Sequence, residues 1–301
     1  MDEVLLRSAA TRGGLSDNDL ARLVGLGDLE RLRRGAYARA LGARRSPEEV
    51  HRLLIGATVP QLGDGAVLSH ASAGVLHGLP LWPAQVGTVH ITRPRTGGGG
   101  RRTVVRRHTS ALEAGETTTV DGWAVTTVPR TVVDLARTLP YEQGVAAGDA
   151  ALRLGLDRGV LEAALRRQDR WPGAARARRV VLLADGRAES AGESLSRVLL
   201  TDQGLTPTEL QLVVHGADGP LGRVDFAWPE HRTIGEFDGR VKYGRLLRPG
   251  EDVGDVVYRE KLREDQLRDL GWQVVRWVWA DLDRPAVIAE RVRRAFARAH
   301  G

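Results

Sequence analysis

The stretch GRVDFAWPEHRTIGEFD, residues 222–238, decides how the rest of the chain is read. Two alternating runs, Gly222–Trp228 and Thr233–Asp238, flank Pro229-Glu230-His231-Arg232, the pattern of two strands joined in a hairpin. Alternation puts Val224, Phe226 and Trp228 on one face and Arg223 and Asp225 on the other. On the second strand Ile234, Glu236 and Asp238 share a face. A turn centred on Glu230 and His231 sets Asp225 opposite Glu236 and Arg223 opposite Asp238. Opposed residues have Cβ atoms ~4.5–5.5 Å apart, and two carboxylates that close repel. A shared cation, a shared proton or a different register would each remove the conflict. A cation is expected, because Asp225 lies among Val224, Phe226 and Trp228 on a strand that should be largely buried. Two hard oxygen ligands suit Mg²⁺ or Mn²⁺.

Working outward, a helix is predicted over 188–203 and a strand over Glu209–Val214 before the hairpin. A long helix at 252–270, a strand at Gln273–Trp277 and a helix at 284–299 follow it. That α-β-β-β-α-β-α order implies a mixed sheet flanked by helices. Glu193, on the polar side of the first helix, is placed to add a third oxygen, as is Glu189 one turn earlier. Trp272, Trp277 and Trp279 surround the last strand, either as core or as a platform on which bases stack.

RVDFAW (223–228), GEFDG (235–239), YREKLRED (258–265) and GWQVVRW (271–277), in this order, resemble the PD-(D/E)xK nuclease superfamily. The resemblance is to its branch related to very-short-patch repair endonucleases, and it covers roughly 186–299. It implies a restriction-endonuclease-like fold and Mg²⁺-dependent cleavage of phosphodiesters. Asp225 and Glu236 would hold the metal, and Glu193 would assist. The family's lysine sits two residues after the second acid, where this chain has Asp238. Lys261 on the long helix, or Lys242 just past the strand, would then supply the ammonium that orients the attacking water, and Asp238 could hold a second ion.

Residues 1–185 read differently. Helices are predicted over 3–12, from a Ser16–Asp19 capping box to Val24, and over Leu29–Arg34, followed by a strand at Ala36–Arg39. Helix, tight turn, helix, strand is the order of a winged helix-turn-helix, with Arg31, Arg33 and Arg34 on the recognition helix; a three-helix bundle with a solvated basic face is the other reading. Ser46-Pro47 opens a further helix. His70 and His77 share a face of a helix at 69–77; with no third ligand nearby in sequence, two packed polar histidines are expected there, not a metal site. Strands at 86–92 and 103–108 flank four glycines and Arg101-Arg102; with Arg106 these form a basic loop that either lies along phosphates or is plain surface. Asp121-Gly122 marks another hairpin, and helices follow at 130–138, 141–155, 157–168 and 173–184. The helix-turn-helix with LSHASA (68–73) and LHG (76–78) resembles antitoxins of the abortive-infection, type IV toxin–antitoxin kind. That resemblance implies DNA binding and a cognate toxin or a second copy as partner.

Composition sets the outer limits. The chain has 301 residues, no cysteine and one methionine, with 42% apolar and 27% charged residues. Thiolate metal sites, cysteine nucleophiles and disulfide scaffolds are excluded. Residues 1–185 carry 26 arginines against 19 acids, whereas 186–301 carry 18 basic residues against 19 acids. The front is therefore the candidate polyanion binder, for DNA before RNA. No apolar run reaches the ~18–20 residues of a membrane span, and acids stand where a signal peptide carries positive charge, so a cytoplasmic protein is expected. The expected architecture is mixed α/β, α+β as a whole. A winged helix-turn-helix (1–45) leads into an antitoxin-like α/β region (46–185) and a restriction-endonuclease-like domain (186–301). The expected function is a Mg²⁺-dependent endonuclease with a DNA-binding module. The alternative is an antitoxin-like regulator whose nuclease fold is inactive.

Overall fold

Capping signals that lie three residues apart in the sequence produce helix starts where expected. The computed structural model describes residues 4–41, 45–63, 65–93, 101–102, 104–217, 219–239 and 253–299. Its contacts divide the chain into two units, Met1–Leu139 with Leu156–Val181, and Pro140–Gly155 with Leu182–Gly301. The fold is α+β, with mixed sheets flanked by helices.

The first unit opens with β1 (Val4–Leu6), α1 (Arg7–Arg12), α2 (Asp17–Leu26), β2 (Leu29–Arg33), β3 (Ala36–Arg39) and α3 (Pro47–Thr58). Ser16 and Asp19 form the capping box of α2, and Ser46 and Glu49 that of α3. Two expectations fail here. Residues 4–6 form a strand, and Leu29–Arg33, read as the recognition helix, is also a strand. The reason is tertiary. Ala36 and Ala38 are fully buried on β3, which is the middle strand of a β1-β3-β2 sheet and needs a partner on each side. Left-handed Gly27 ends α2, and left-handed Gly35 turns the chain back, so the residues between the two glycines pair as an edge strand of that sheet. Helix, turn, helix and strand hairpin do follow one another, but the second helix is α2.

The rest of this unit builds β4 (Val67–Leu68), α4 (His70–Leu76), β5 (Val89–Arg93), β6 (Arg101–Arg102), β7 (Val105–Thr109), β8 (Thr117–Val120), β9 (Trp123–Thr126) and α5 (Val128–Thr138). Its six-stranded sheet runs β6-β7-β5-β4-β9-β8. The β8–β9 turn is the expected hairpin, with Asp121 and Gly122 both at positive φ. The glycine loop at 94–100 lies outside the described residues.

The chain then crosses between units. Helix α6 (Tyr141–Arg153) belongs to the second, α7 (Arg158–Arg167) and most of α8 (Ala174–Leu183) to the first. The expected boundary at 186 thus falls four residues past the start of the second unit's long segment, and 140–155 joins that unit from outside it.

The second unit continues with α9 (Ala191–Asp202), β10 (Glu209–Gly216), β11 (Gly219–Trp228), β12 (Thr233–Asp238), α10 (Val253–Asp269), β13 (Gln273–Val278), α11 (Trp279–Leu282) and α12 (Pro285–Ala299). Strands β10, β11 and β12 are antiparallel neighbours; β13 lies parallel to β12, reached through α10. One core holds Phe226, Trp228, Phe237 and Trp277 with Leu200 and Val292 from the helices. A second core holds Val224, Ala227 and Ile234 with Leu267 of α10. Trp277 is buried and donates to Ser196 Oγ at 2.8 Å, so it is core. Trp272 packs against the second core, and Trp279 is exposed. Gly235 is required where it stands: a Cβ there would sit 2.5 Å from the Trp277 ring.

Candidate functional site

The β11–β12 ladder has the register expected from the hairpin, Trp228 opposite Thr233, Ala227 opposite Ile234 and Phe226 opposite Gly235. The next step would pair Asp225 with Glu236. There the backbone ladder stops, and the Asp225 carboxylate takes over, accepting the Phe237 N–H at 2.8 Å. Two acids therefore flank the point where the strands part. A third strand adds a base, because the parallel register sets Arg276 beside Glu236.

Glu236 is buried and ion-paired on both oxygens, with Arg263 at 2.9 Å and Arg276 at 2.9 Å. Burial raises its pKa; Arg263 and Arg276 oppose the rise, while Glu260 and Asp225 add to it. Arg263 reaches across from α10 and also donates to the Arg223 carbonyl at 2.9 Å. Gly222 makes room for it: its φ is 152°, and a Cβ would come within 2.6 Å of Arg263 Nε. Arg276 also meets Glu260 and Glu264 at 3.3 Å each. Among the described residues four carboxylates (Glu236, Asp238, Glu260, Glu264) interact with this cluster's guanidiniums, Arg263, Arg268 and Arg276, while Asp225 acts on Glu236 itself. Asp225 and Glu236 are oxygen donors, the type a hard divalent cation takes, and both Glu236 oxygens already face guanidiniums.

The other expected site residues are placed unevenly. Glu193 caps its own helix: it accepts from Ser190 Oγ and the Glu189 N–H at 2.8 Å each, and from Gln211 Nε2 at 2.9 Å. Gln211 has φ 55° and lies between the Leu210–Phe226 and Leu212–Val224 pairs, facing the Asp225 position. Glu193 is thus linked toward the pair through Gln211 and is spent on capping. Glu189 pairs with Arg223 at 2.6 Å, so Arg223 does not take the expected place against Asp238. Asp238 interacts with Arg276. Lys261 is exposed and sits about 200° around α10 from Arg263, so the cation that helix delivers is Arg263. Lys242 lies outside the described residues. The sequence carried a signal for Arg276, two positions after Val274 on an alternating strand, but only the parallel register assigns it to Glu236.

In the first unit the expected nucleic-acid residues part company. Arg31 and Arg34 are exposed on the β2–β3 hairpin and line one concavity with Arg7, Arg12 and Tyr37. Arg33 borders the same concavity but is half-buried, donating to Thr58 Oγ1 at 3.2 Å and to the Ala57 carbonyl at the end of α3. Arg106 is exposed on β7. Arg101 and Arg102 form β6 against β7, and their side chains lie outside the described set. The expectation for His70 and His77 also changes. His77 bonds the Thr126 carbonyl at 2.7 Å, whereas His70 meets His90 and His108.

The second unit is a mixed αβββαβ sheet with a polar row, Asp225, Glu236 and Arg276, at a break in one ladder. No family model matches the chain. Over 182 residues it is 38% identical to two uncharacterised proteins of Mycobacterium tuberculosis, MT2308 of strain CDC 1551 / Oshkosh and Rv2248 of strain ATCC 25618 / H37Rv. The match covers 60% of this chain and 64% of each relative, so the chain spans less than two thirds of their length. The crystal structure of the RV2827C protein from Mycobacterium tuberculosis is similar at TM-score 0.39 and 18% identity, over 70% of this chain and 79% of that one. A likeness at that level supports no statement about fold or function.

Proposed function

We propose that the second unit is a divalent-cation-dependent nucleic-acid phosphodiesterase, an endonuclease, and that the first unit binds nucleic acid, DNA before RNA. One observation carries this: two carboxylates on neighbouring strands flank the point where the backbone ladder opens. Asp225 and Glu236 would hold the ion, Mg²⁺ or Mn²⁺, which supplies Lewis-acid polarisation of a phosphate. The protein's own groups do the positioning. Arg263 and Arg276 grip both Glu236 oxygens, and the Phe237 N–H fixes Asp225. Arg263, braced on the Arg223 carbonyl, is a fixed cation beside the acids; such a group stabilises charge that grows on a phosphate. The exposed Arg31 and Arg34, with Arg12 in the same concavity, supply sequence-blind phosphate contacts, while Arg7 there is paired with Asp17 at 2.6 Å. On this reading the protein works in the cytoplasm, on nucleic acid found there. Among the described residues no helix is long and apolar enough to cross a membrane.

A second reading has its own observation. Glu236 is already neutralised by two guanidiniums, and Asp238 stands at the lysine position. On that reading the protein is an antitoxin-like DNA-binding regulator, partnered by a toxin or a second copy, and its nuclease fold only binds. Incubation of supercoiled plasmid, linear duplex, single-stranded DNA and RNA with Mg²⁺ or Mn²⁺ separates the two. Wild type should cut at least one substrate, and EDTA, Asp225→Ala and Glu236→Ala should each abolish cutting while duplex binding survives. Binding without cutting of any substrate by wild type would reject the enzyme.

A further inference from the structure

In the first unit three histidines from distant parts of the chain meet at the wall of a cavity of about 530 Å³. His70 opens α4, His90 lies on β5 and His108 on β7. The parallel β5–β7 register sets His90 beside Arg106 and Thr92 beside His108, so all four side chains share one face of the sheet. One ring nitrogen of each histidine lies within 4.8 Å of those of the other two. His90 Nδ1 and His108 Nε2 are 3.2 Å apart. Two imidazoles on one tetrahedral zinc ion would stand about 3.3–3.4 Å apart at normal Zn–N lengths.

His70 is prepared in a way that plain core packing does not need. Its backbone is left-handed, φ 49°, which is strained for a residue with a Cβ. Its Nδ1 bonds Ser69 Oγ at 3.0 Å, and Ser69 Oγ in turn accepts from Thr92 Oγ1 at 2.8 Å. With Nδ1–H donating to Ser69 Oγ, that chain fixes the ring and leaves the Nε2 lone pair for another partner, the outer-shell arrangement of a ligating histidine. The rings of His70 and His108 stack, centroids 3.5 Å apart, so ligation requires one ring to rotate toward the cavity it borders. Burial holds all three imidazoles below their ordinary range, His90 to about 3 and His108 to about 4, in the neutral form that binds metals.

We propose that His70, His90 and His108 form a binding site for one zinc-class divalent ion, with its remaining position open to the cavity for an anionic group. Three imidazoles with no thiolate and no carboxylate in the set select Zn²⁺ or Co²⁺ over Mg²⁺. Arg106 and Arg107 line the same cavity and give its mouth a positive field. This site is independent of the acid pair and of the phosphodiesterase reading.

The test uses the full chain, stripped with chelator and titrated with Zn²⁺ by calorimetry and with Co²⁺ by absorption. One equivalent should bind with the intense visible bands of a tetrahedral Co²⁺ site. His90→Ala and His108→Ala should each lose more affinity than the about 10–100-fold that removal of an outer-shell partner costs, and Ser69→Ala, which removes the partner of His70, should fall in that 10–100-fold range. His77→Ala should bind as wild type does, and the double variant Asp225→Ala/Glu236→Ala should keep the tetrahedral Co²⁺ bands whatever it changes in uptake at the acid pair. Because a histidine variant can misfold, Zn²⁺-induced shifts of the imidazole ¹⁵N resonances in wild type provide a second readout. The proposal falls if wild type shows no Zn²⁺ or Co²⁺ uptake, if those imidazole resonances do not move, or if the uptake is lost with the acid pair and not with the histidines.

Discussion

His51 shows how a single buried ring ties stability to pH. It bonds the Val86 carbonyl through Nδ1 at 2.6 Å and Ser72 Oγ through Nε2 at 2.9 Å, with no exposed surface. Burial lowers its pKa from 6.5, partly offset by the Val86 carbonyl. The folded state therefore holds it neutral where the unfolded chain would protonate it. Its contribution is complete above pH 6.5 and is lost as pH falls below that value, at up to about 1.4 kcal/mol per pH unit, until the depressed folded pKa is reached. His90, held low in the same way, acts with the same sign. Urea midpoints measured across this range should fall with pH in wild type and fall less steeply in His51→Gln. At this scale sequence alone showed which residues were chemically loaded, Asp225 and Glu236 above all. It did not show that guanidiniums from 27 and 40 residues further along meet Glu236.

Among elements, β2 was the least legible. LERLR reads as a helix on the three-residue spacing of Leu29 and Leu32, and burial of β3 in the middle of its sheet makes it a strand instead. The change reassigns three arginines. Arg33→Ala removes charge-assisted hydrogen bonds to the end of α3 and should cost about 1.5–3 kcal/mol of stability in denaturant unfolding. Arg31→Ala and Arg34→Ala should leave stability within about 0.5 kcal/mol. Each should weaken duplex binding uniformly and lower the salt slope of the binding constant by about 1. An equal effect of all three on binding would mean that the exposed face of the hairpin is not the contact. Helix starts, in contrast, were legible because a cap and its partner are three residues apart and need nothing distant.

At the scale of the whole molecule, α6 is the telling element. It lies between segments of the first unit in the chain but belongs to the second, held there by a buried ion pair. Asp149 accepts from Arg197 at 2.8 Å and from the Asp185 N–H at 2.7 Å; Arg197 also donates to the Leu183 carbonyl at 2.6 Å. Asp149→Ala would leave Arg197 buried without its partner, a loss of about 3–5 kcal/mol. Unfolding followed by tryptophan fluorescence should show the transition of the second unit shifted and that of the first unchanged. A division read from composition near residue 186 could not include α6, because nothing in 141–155 names its partner.

By itself the sequence determined what depends on neighbours along the chain: strand alternation, hairpin register, helix caps, and the presence of two acids on adjacent strands. These follow from periodicity and short-range geometry, which act over a few residues. Only the tertiary structure decided which cations reach Glu236, that Leu29–Arg33 is a strand, that α6 crosses to the second unit, and that His70, His90 and His108 meet. Each of those depends on closing a long loop, and the free energy that closes it comes from burial shared among many residues, so no local pattern records the outcome.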